Sequence, residues 1–370
     1  MYIWDLQGWP KLTWDQSVIS KPLATARHDQ GLLIGQMRSL GFGLQAEATL
    51  KTLTEEVVKT SEIEGEKLNR DQVRSSIARR LGMDVAGLVP ADRDVEGIVE
   101  VMLDATRNAS QQLTRARLFG WHAALFPTGR SGMHRITVGG WRTDSAGPMQ
   151  VVSGAIGREQ VHFAAPPAER VDIEMARFLT WFNAGDDTDP VLRSAIAHLW
   201  FVTIHPFDDG NGRIARAVAD MALARFEGPQ RFYSMSSQIR RERNGYYDIL
   251  ESAQKATLDV TSWLTWFLDA FTRAIANATT MLGGTLRKAR FWEQHSTDAI
   301  NERQRKVINR LFDGFEGKLT TSKWAAISKS SQDTAYRDIL DLVERGILKR
   351  DPAGGRSASY SLVDSPNQPS

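Results

Sequence analysis

The sequence of 370 residues contains no cysteine. That absence excludes disulfide scaffolds, thiolate zinc sites, iron–sulfur clusters and cysteine nucleophiles. No apolar run approaches the ~18–20 residues that span a bilayer. The N-terminus also lacks the basic segment and the following apolar segment of a signal peptide. We therefore expect no membrane partner and predict a cytoplasmic location.

Neither sign of charge is in large excess. The chain has 46 basic and 44 acidic residues, a formal net charge of +2, so the composition gives no general indication of nucleic-acid binding. The balance conceals a local difference. Residues 1–286 hold 31 basic and 33 acidic residues, whereas residues 287–370 hold 15 basic and 11 acidic ones. With 42% hydrophobic and 24% charged residues, the composition is that of a globular protein.

Apolar residues recur with the period of an α-helix over most of the chain, which predicts a mainly α fold. The pattern is clear at 44–64, where leucines and valines recur among Glu and Lys. Asn69, followed by Gln72, resembles a capping box that opens a helix, and Gly82 would end it. Further predicted helices cover residues 92–110, 114–126, 169–184, 189–204, 212–227, 238–255 and 261–282.

The segment 127–168 interrupts these helices. It is rich in Gly and carries two short β-prone pieces, His134–Val138 and Gln150–Ser153, so we predict a long loop with a hairpin. A loop of this length inside a helical domain is usually functional. Near the N-terminus, large aromatic side chains at a spacing of five residues indicate a small packing element of buried anchors: Trp4, Trp9 and Trp14.

The most informative string runs from His205 to Arg216 and reads HPFDDGNGRIAR. It joins a helix end, a loop punctuated by Gly210 and Gly212, and a helix start. The glycines allow the backbone to turn sharply and to approach a ligand closely. The unpaired N–H groups and the dipole at the start of the next helix favour an anion.

The charged residues of this string suit a polyphosphate. Arg213 and Arg216, three residues apart, share a helical face at that same helix start, and two guanidinium groups beside an amide nest describe a phosphate cradle. Asp209 is an oxygen ligand for Mg²⁺, and His205 can exchange a proton near neutral pH. Together they indicate in-line displacement at a phosphorus atom. The alternative is a structural turn with a capping Asp and a core His.

The string matches the signature HPFx[DE]GNGRxxR at every specified position, and the chain thereby resembles the Fic family over residues 45–282. The resemblance implies a helical bundle with a β-hairpin called the flap, and an enzyme that transfers AMP from ATP to a Ser, Thr or Tyr hydroxyl of a target protein. His205 would be the general base, and Asp209 would bind Mg²⁺. The remaining motif residues would bind the nucleotide: Phe207, Gly210, Asn211, Gly212, Arg213 at the β-phosphate and Arg216 at the γ-phosphate.

Two other stretches resemble parts of the family site. The segment around Val151, Val152, Ser153 and Gly154 resembles the flap, which docks the target segment by strand addition; an ordinary surface hairpin is the alternative. Farther along, three residues resemble the adenine-side helix, with Gln in place of the more usual Asn, although they also suit a plain helix core: Tyr246, Tyr247 and Gln254.

Residues 60–65, TSEIEG, fit the family's inhibitory pattern [ST]xxxE[GN] and lie N-terminal to the motif. A sequestered carboxylate needs a cationic partner, so we predict that Glu64 pairs with Arg216. ATP would then bind with its γ-phosphate displaced, and the resting enzyme would be inhibited. A solvated Glu at a helix end is the alternative, and some family members use the residue to remove AMP instead.

The resemblance and the change of character near residue 287 divide the chain. We expect a Trp-containing segment (1–44), a Fic catalytic domain (45–286) whose inhibitory helix is 44–65, a winged helix-turn-helix domain (287–363) and a disordered tail (364–370). Arg337 and a wing at residues 354–356 could contact DNA, against which Asp333, Asp338 and Asp341 would repel phosphate.

The competing hypothesis is therefore a DNA-binding regulator whose Fic domain senses a nucleotide. A winged helix also serves as a protein-docking or dimerisation module, so DNA, another protein and a second copy of the chain are all candidate partners. For the enzyme, the expected partner is a hydroxyl-bearing target protein, with the chain itself as one candidate.

Overall fold

A computed structural model describes residues 1–84, 87–145, 147–153, 160–185, 187–255, 257–312, 315, 317–352 and 358–363. The chain divides into two compact units, Met1–Thr280 and Met281–Ser370. Within the described residues the fold is mainly α, as the sequence predicts, with fourteen α-helices and three small two-stranded sheets. No helix in this part of the chain is both long enough and apolar enough to cross a bilayer.

The helices of the first unit follow a 3₁₀ turn at Ile3–Asp5. Their bounds are α1 Gln16–Arg38, α2 Phe42–Ile63, α3 Arg70–Arg80, α4 Arg93–Arg107, α5 Arg115–Leu125, α6 Ala168–Asn183, α7 Pro190–Ile204, α8 Asn211–Glu227, α9 Met235–Arg241 and α10 Arg243–Lys255. Helix α11, Thr261–Gln294, begins in the first unit and continues past Thr280 into the second.

The segment between α5 and α6 contains two antiparallel hairpins. The first pairs β1 (Arg130–Ser131) with β2 (His134–Arg135), and the second pairs β3 (Gln150–Ser153) with β4 (Gln160–Ala164). A register shift falls between Val151 and Val152. The sequence predicts a long loop with one hairpin, and the structure contains two hairpins of two short strands each.

Helices α7 and α8 form the centre of the first unit. Asp189 caps α7 by accepting from the backbone N–H of Val191, and Pro190 occupies the first turn, where a missing N–H costs nothing. The helix is buried from Val191 to Ile204 on nearly every face. A helix that is apolar all round belongs in a core rather than at a surface. The loop between α7 and α8 is therefore anchored at both ends by buried helices.

Three helices differ from the sequence prediction. Helix α1 was not predicted as a helix, because its apolar stripe is narrow and Pro22, Gly31 and Gly35 interrupt it. The predicted helix 238–255 is two helices that break at Glu242, where the side chain accepts two hydrogen bonds from Arg273. Helix α11 continues past the paired glycines at 283–284 to Gln294 instead of ending at 282.

The N-terminal tryptophans differ in burial. Trp9 is buried and its indole N–H donates to Glu174 at 2.9 Å. Trp4 is half-buried and donates to the backbone oxygen of Ala164 on β4 at 2.7 Å. Trp14 is also half-buried, so the prediction of buried anchors is confirmed for Trp9 and wrong for Trp4 and Trp14. The polar indole N–H of Trp4 and Trp9 finds a partner across the first unit, as partly buried Trp requires.

The second unit contains α12 Glu302–Phe312, α13 Thr321–Ser328 and α14 Gln332–Glu344, followed by a two-stranded antiparallel sheet of β5 (Leu348–Arg350) and β6 (Tyr360–Leu362). Leu319 adds an isolated antiparallel bridge to Tyr360. The unit has its own apolar core, centred on the fully buried Trp324. This order of elements is the one that the sequence predicts for the C-terminal part. The predicted wing tip at 354–356 and the tail 364–370 lie outside the described residues.

Candidate active site

The motif loop begins and ends with a residue in the left-handed region. His205 ends α7 with φ 53° and ψ 59°, and Gly210 precedes α8 with φ 78°. Positive φ is uncommon for residues other than glycine, although Asn, Asp and His adopt it more often than the rest. The side chain of Asn211, the first residue of α8, closes on the backbone of Phe207, accepting from its N–H at 3.0 Å and donating to its carbonyl at 2.8 Å. The Asn211 amide therefore shapes the loop from inside.

His205 has one ring nitrogen oriented by the backbone. Nδ1 lies 3.2 Å from the carbonyl oxygen of Val202. A carbonyl only accepts, so this hydrogen bond requires the proton on Nδ1 and leaves Nε2 as an acceptor. Burial lowers the pKa of His205 to about 4. The imidazole is therefore neutral at physiological pH and its Nε2 can accept a proton.

Arg142 holds this loop from the preceding segment. Its Nε donates to the backbone oxygen of His205 at 2.7 Å, and its backbone N–H donates to the Pro206 carbonyl at 2.9 Å. The same guanidinium donates to the Pro166 carbonyl at 2.5 Å and pairs with Asp144 at 3.0 Å. The side chain is buried. No sequence signal indicated this residue.

Asp209 lies on the outer side of the loop. One carboxylate oxygen accepts from the Gly210 backbone N–H at 2.5 Å, and the other accepts from the Ser131 hydroxyl. His122 lies below, with Nε2 3.2 Å from the Asp209 carbonyl and its ring stacked on Phe207 at 4.2 Å. Burial lowers the pKa of His122 to about 4. Phe207 is thus a buried packing residue under the loop.

The two motif arginines are buried at the start of α8, and each has an N–H group without a hydrogen-bond partner. These atoms are Nε of Arg213 and one terminal nitrogen, NH1, of Arg216. Arg213 also lies 5.0 Å from the ring centroid of Phe126. Buried donors without partners are rare in proteins and call for an explanation. Together with the α8 N-terminus they describe a site for an anion.

Glu64 pairs with Arg216, as the sequence predicts. A terminal nitrogen of Arg216 donates to Glu64 Oε1 at 2.7 Å. The same nitrogen donates to the Thr60 carbonyl at 2.9 Å, and Nε donates to the Thr60 hydroxyl at 2.7 Å. Burial by itself would lower the pKa of Arg216, but the Glu64 carboxylate more than offsets it and raises the pKa. Thr60, the first residue of the inhibitory pattern, thus binds the same guanidinium group as Glu64.

A second carboxylate, that of Glu66, lies two residues after Glu64 and pairs with the other motif arginine. Glu66 accepts from Arg213 at 2.6 Å, and the two side chains are 47% and 5% exposed. Both residues line a cleft of about 450 Å³ that also includes Lys67, Ser131 and Arg130. The segment after α2 therefore supplies one carboxylate to each motif arginine. The sequence analysis predicted the first pair and missed the second, although Glu66 stands beside Gly65.

The proposed adenine-side residues contact one another and two side chains of α7. The buried Tyr246 hydroxyl lies 2.8 Å from His198 Nε2, and burial raises the pKa of Tyr246. Tyr247 is half-buried beside Tyr246, with ring centroids 5.1 Å apart. Gln254 is buried and donates to the Thr203 hydroxyl at 3.3 Å. The amide of Gln254 is therefore already engaged within the protein.

The predicted flap is the β3–β4 hairpin. Val152 is 48% exposed, Val151 is half-buried, and Gly154 lies outside the described residues. Ser153 bonds across the hairpin to His162 Nε2 at 2.6 Å, and His162 Nδ1 lies 2.6 Å from Glu251 on α10. The hairpin is thereby connected to the helix that carries the two tyrosines.

The oxygen donors at Asp209 fit a divalent cation whose other ligands are phosphate oxygens and water. Asp209 and the Ser131 hydroxyl are hard oxygen donors of the kind that Mg²⁺ prefers. Among the described residues no cluster of three His, Asp or Glu side chains surrounds a metal position. Mg²⁺ is usually held by one or two carboxylates plus phosphate oxygens and water, which matches this arrangement.

The geometry defines an anion site beside an imidazole that can accept a proton, on a mainly helical scaffold. Residues 112–223 match the Fic/DOC family, and residues 2–83 match a domain of unknown function, DUF4172. Residues 112–223 therefore form a Fic/DOC family domain, which confirms the resemblance read from the motif within this region. The rest of the range 45–282 lies outside that match.

Several curated relatives are named protein adenylyltransferases. The chain is 32% identical over 130 residues to "Protein adenylyltransferase Fic" of Culex quinquefasciatus, covering 34% of this chain and 25% of that protein. It is 34% identical over 95 residues to "Protein adenylyltransferase fic-1" of Caenorhabditis elegans, covering 25% of this chain and 18% of that protein. The matched region thus spans a quarter or less of these two relatives.

Solved structures share the fold. A Fic family protein from Desulfovibrio desulfuricans superposes with a TM-score of 0.57 at 22% identity, covering 97% of this chain and 99% of that one. A Fic domain-containing signaling protein from Bacteroides thetaiotaomicron gives a TM-score of 0.52 at 19% identity, covering 72% and 97%. At these identities the likeness concerns the fold.

Proposed function

We propose that this protein is a protein adenylyltransferase that transfers AMP from ATP to a Ser, Thr or Tyr hydroxyl of a target protein. The observation that carries the proposal is the pair of buried motif arginines with unpartnered donors at the start of α8. The neutral imidazole of His205 one loop away supplies the base. The Fic/DOC match and the names of the relatives support the same reaction class.

In this proposal His205 Nε2 accepts the proton of the target hydroxyl as the oxygen attacks the α-phosphorus of ATP. The bond from phosphorus to the bridging oxygen of the β-phosphate breaks, and pyrophosphate leaves. The hydrogen bond from Nδ1 to the Val202 carbonyl fixes the required tautomer of His205. Arg142 fixes the position of the His205 backbone by donating to its carbonyl. Because misplacement by ~1 Å costs about 100-fold in rate, these two contacts matter for catalysis.

The phosphates would meet Arg213 and Arg216, together with the backbone N–H groups at the start of α8. Preorganised donors of this kind stabilise charge that develops in the transition state without a reorganisation cost. Asp209 and Ser131 would hold Mg²⁺, which neutralises phosphate charge when bound. Tyr246, Tyr247 and Gln254 would line the nucleoside, with Tyr247 as the more accessible ring.

Autoinhibition is the second part of the proposal. The Glu64–Arg216 ion pair at 2.7 Å occupies the cation that would otherwise bind the outer phosphate. ATP bound against this pair would place its α-phosphorus out of line with His205. The exposed edge of β3, with Val152 outward, would then receive the target segment by strand addition once Glu64 is displaced.

The test uses labelled ATP and a host lysate with four proteins: wild type, His205→Ala, Glu64→Gly and the double variant. We expect strong labelling by Glu64→Gly alone, its loss in the double variant, and its loss on chelation of Mg²⁺. Mass spectrometry should find AMP (rather than phosphate) on a hydroxyl side chain. Labelling that persists without His205 would contradict the assignment of the base.

One observation favours a DNA-binding role for the second unit as an additional function. Asp338 on α14 is buried and accepts two hydrogen bonds from Arg303 at 2.9 Å, and Asp341 pairs with Arg345 at 2.7 Å. Two of the three acidic residues that would repel phosphate are thus neutralised within the unit. Tyr336 and Arg337 are exposed on the same helix.

Duplex binding would be measured for wild type and Arg337→Ala across a series of salt concentrations. A nucleic-acid interface predicts binding that weakens with salt and a salt slope reduced by about one in the variant. Equal, salt-insensitive binding by both proteins, or none, would remove this role while leaving the enzymatic one.

A further inference from the structure

Glu66 is a carboxylate outside the inhibitory pattern, and it holds the first of the two motif arginines. Its distance to the Arg213 guanidinium is 2.6 Å, as short as the Glu64–Arg216 contact at 2.7 Å. Arg213 lies in the first turn of α8 and Arg216 one turn farther along. The two carboxylates therefore occupy two successive positions along the anion site.

The backbone explains how neighbouring residues reach both positions. Gly65 adopts φ 89°, a conformation that favours glycine, and separates the two glutamates. The backbone N–H groups of both Glu64 and Glu66 donate to the Ser61 carbonyl, at 3.1 and 3.0 Å. This closed turn after α2 sets the two carboxylates side by side, and each meets a different arginine.

Resting on the proposed transfer of AMP, we propose that Glu66 is a specificity-determining residue that competes with the inner, β-phosphate position, whereas Glu64 competes with the outer one. The resemblance to the Fic family implies the β-phosphate at Arg213 and the γ-phosphate at Arg216, in the order in which the two arginines follow each other along α8. A monophosphate competes with neither carboxylate, a diphosphate competes with Glu66, and a triphosphate in the position that allows transfer competes with both.

The surroundings of Glu66 allow that displacement. Its side chain is 47% exposed, whereas Glu64 is 29% exposed. The cleft of about 450 Å³ that it lines also carries Lys67 and Arg130, which offer alternative cations to a displaced carboxylate. Arg213 keeps a buried, unpartnered Nε that a phosphate oxygen would satisfy.

The test measures dissociation constants of AMP, ADP and ATP by calorimetry for wild type, Glu66→Gln, Glu64→Gln and the control Glu62→Gln. Glu62 is a nearby carboxylate in the last turn of α2 that pairs with Lys59 and Arg240. For a partly exposed ion pair we expect Glu66→Gln to tighten both ADP and ATP by about fivefold and to leave AMP unchanged. Glu64→Gln should tighten ATP alone, and Glu62→Gln none of the three.

Three other results of this experiment would each contradict one part of the proposal. If Glu66→Gln leaves ADP binding unchanged, or tightens AMP by the same factor, Glu66 does not compete with the β-phosphate, and the proposed AMP transfer stands on its own test. If Glu66→Gln and Glu64→Gln act identically on all three nucleotides, the assignment of two separate positions is wrong. If no variant binds any of the nucleotides, the proposed function fails and this inference fails with it.

Discussion

A β-carbon on Gly212 would overlap Oε1 of Glu64 and lie 3.1 Å from its carboxyl carbon. The same carbon would lie 3.2 Å from a terminal nitrogen of Arg216. Gly212 is therefore the place in α8 against which the Glu64 carboxylate lies. The absence of a side chain at this motif glycine gives the Glu64 carboxylate its room.

Replacing Gly212 by Ala should destabilise the wild-type protein and not the Glu64→Gly variant. In wild type the new methyl group displaces the end of the Glu64 side chain and weakens its ion pair with Arg216, at a cost of about 1 kcal/mol. Without Glu64 that collision is absent, and Ala at the second residue of α8 should be tolerated. Denaturant unfolding of the four proteins of this double-mutant cycle measures the coupling. Equal effects in both backgrounds would show that Glu64 does not occupy this position.

The Glu64→Gly variant should label itself or a target about 100-fold faster than wild type. Arg216 would then be free to bind the outer phosphate, and the α-phosphorus would come into line with His205. The measurement is the initial rate of AMP incorporation at saturating ATP. Glu62→Gln serves as the control, since that carboxylate pairs with Lys59 at 2.9 Å and not with a motif arginine. A rate equal to that of wild type would contradict autoinhibition.

Thr60→Val should release the inhibition only in part. The Thr60 hydroxyl accepts from Nε of Arg216 at 2.7 Å, whereas its backbone carbonyl, which the substitution keeps, accepts from a terminal nitrogen. Losing one hydrogen bond to a charged group costs about 1.5–3 kcal/mol, so the guanidinium is held less firmly against Glu64. We expect a rate between those of wild type and Glu64→Gly. A rate below that of wild type would instead indicate that Thr60 helps Arg216 to bind phosphate.

Arg142→Ala should lower the turnover of the Glu64→Gly enzyme more than its affinity for ATP. Arg142 positions His205 through the backbone and contacts neither motif arginine. Its removal also leaves the buried carbonyls of His205 and Pro166 without these donors, at about 1–3 kcal/mol for each unsatisfied group. The expected result is a fall in kcat of about 100-fold with KM for ATP little changed. Arg135→Ala, an exposed arginine of the same segment, is the control.

AMP transfer by Glu64→Gly should be nearly independent of pH between 6 and 8. Burial lowers the pKa of His205 to about 4, so the imidazole stays neutral and able to accept a proton throughout this range. A histidine of ordinary pKa, about 6.5, would instead be largely protonated at pH 6. Rates of labelling across the range distinguish the two cases. A half-maximal rate near pH 6.5 would show that His205 is exposed to solvent in the working enzyme.

The protein should lose stability as the pH falls from about 6.5 towards 4. Burial lowers the pKa of His122 to about 4 and that of His198 to about 3. In this pH window the unfolded chain, whose histidines have ordinary pKa values, binds more protons than the folded protein. The free energy of unfolding therefore decreases as the pH is lowered. Between pH 7 and pH 5 each group should cost on the order of 1–2 kcal/mol. Urea unfolding at the two pH values measures the loss, and His122→Phe should reduce it.

The amino-acid sequence by itself indicated the Fic/DOC domain and most of the helices. The string from His205 to Arg216 combines residue types that rarely occur together by chance, so it identified the domain without any structure. The helical period indicated most helices because burial of one face imposes it. It failed at α1, where the apolar stripe is narrow, and at 283–284, where paired glycines remain inside a long helix.

Only the tertiary structure decided which charges meet. Glu66 looks like any solvated residue after a helix, and its contact with Arg213, 147 positions away, depends on the turn at Gly65. Arg142 lies in a glycine-rich loop without a pattern of its own, yet its buried guanidinium holds the carbonyl of His205. Ion pairs and buried hydrogen bonds depend on distance and on exclusion of water, which follow from packing across the chain and leave no periodic trace in the sequence.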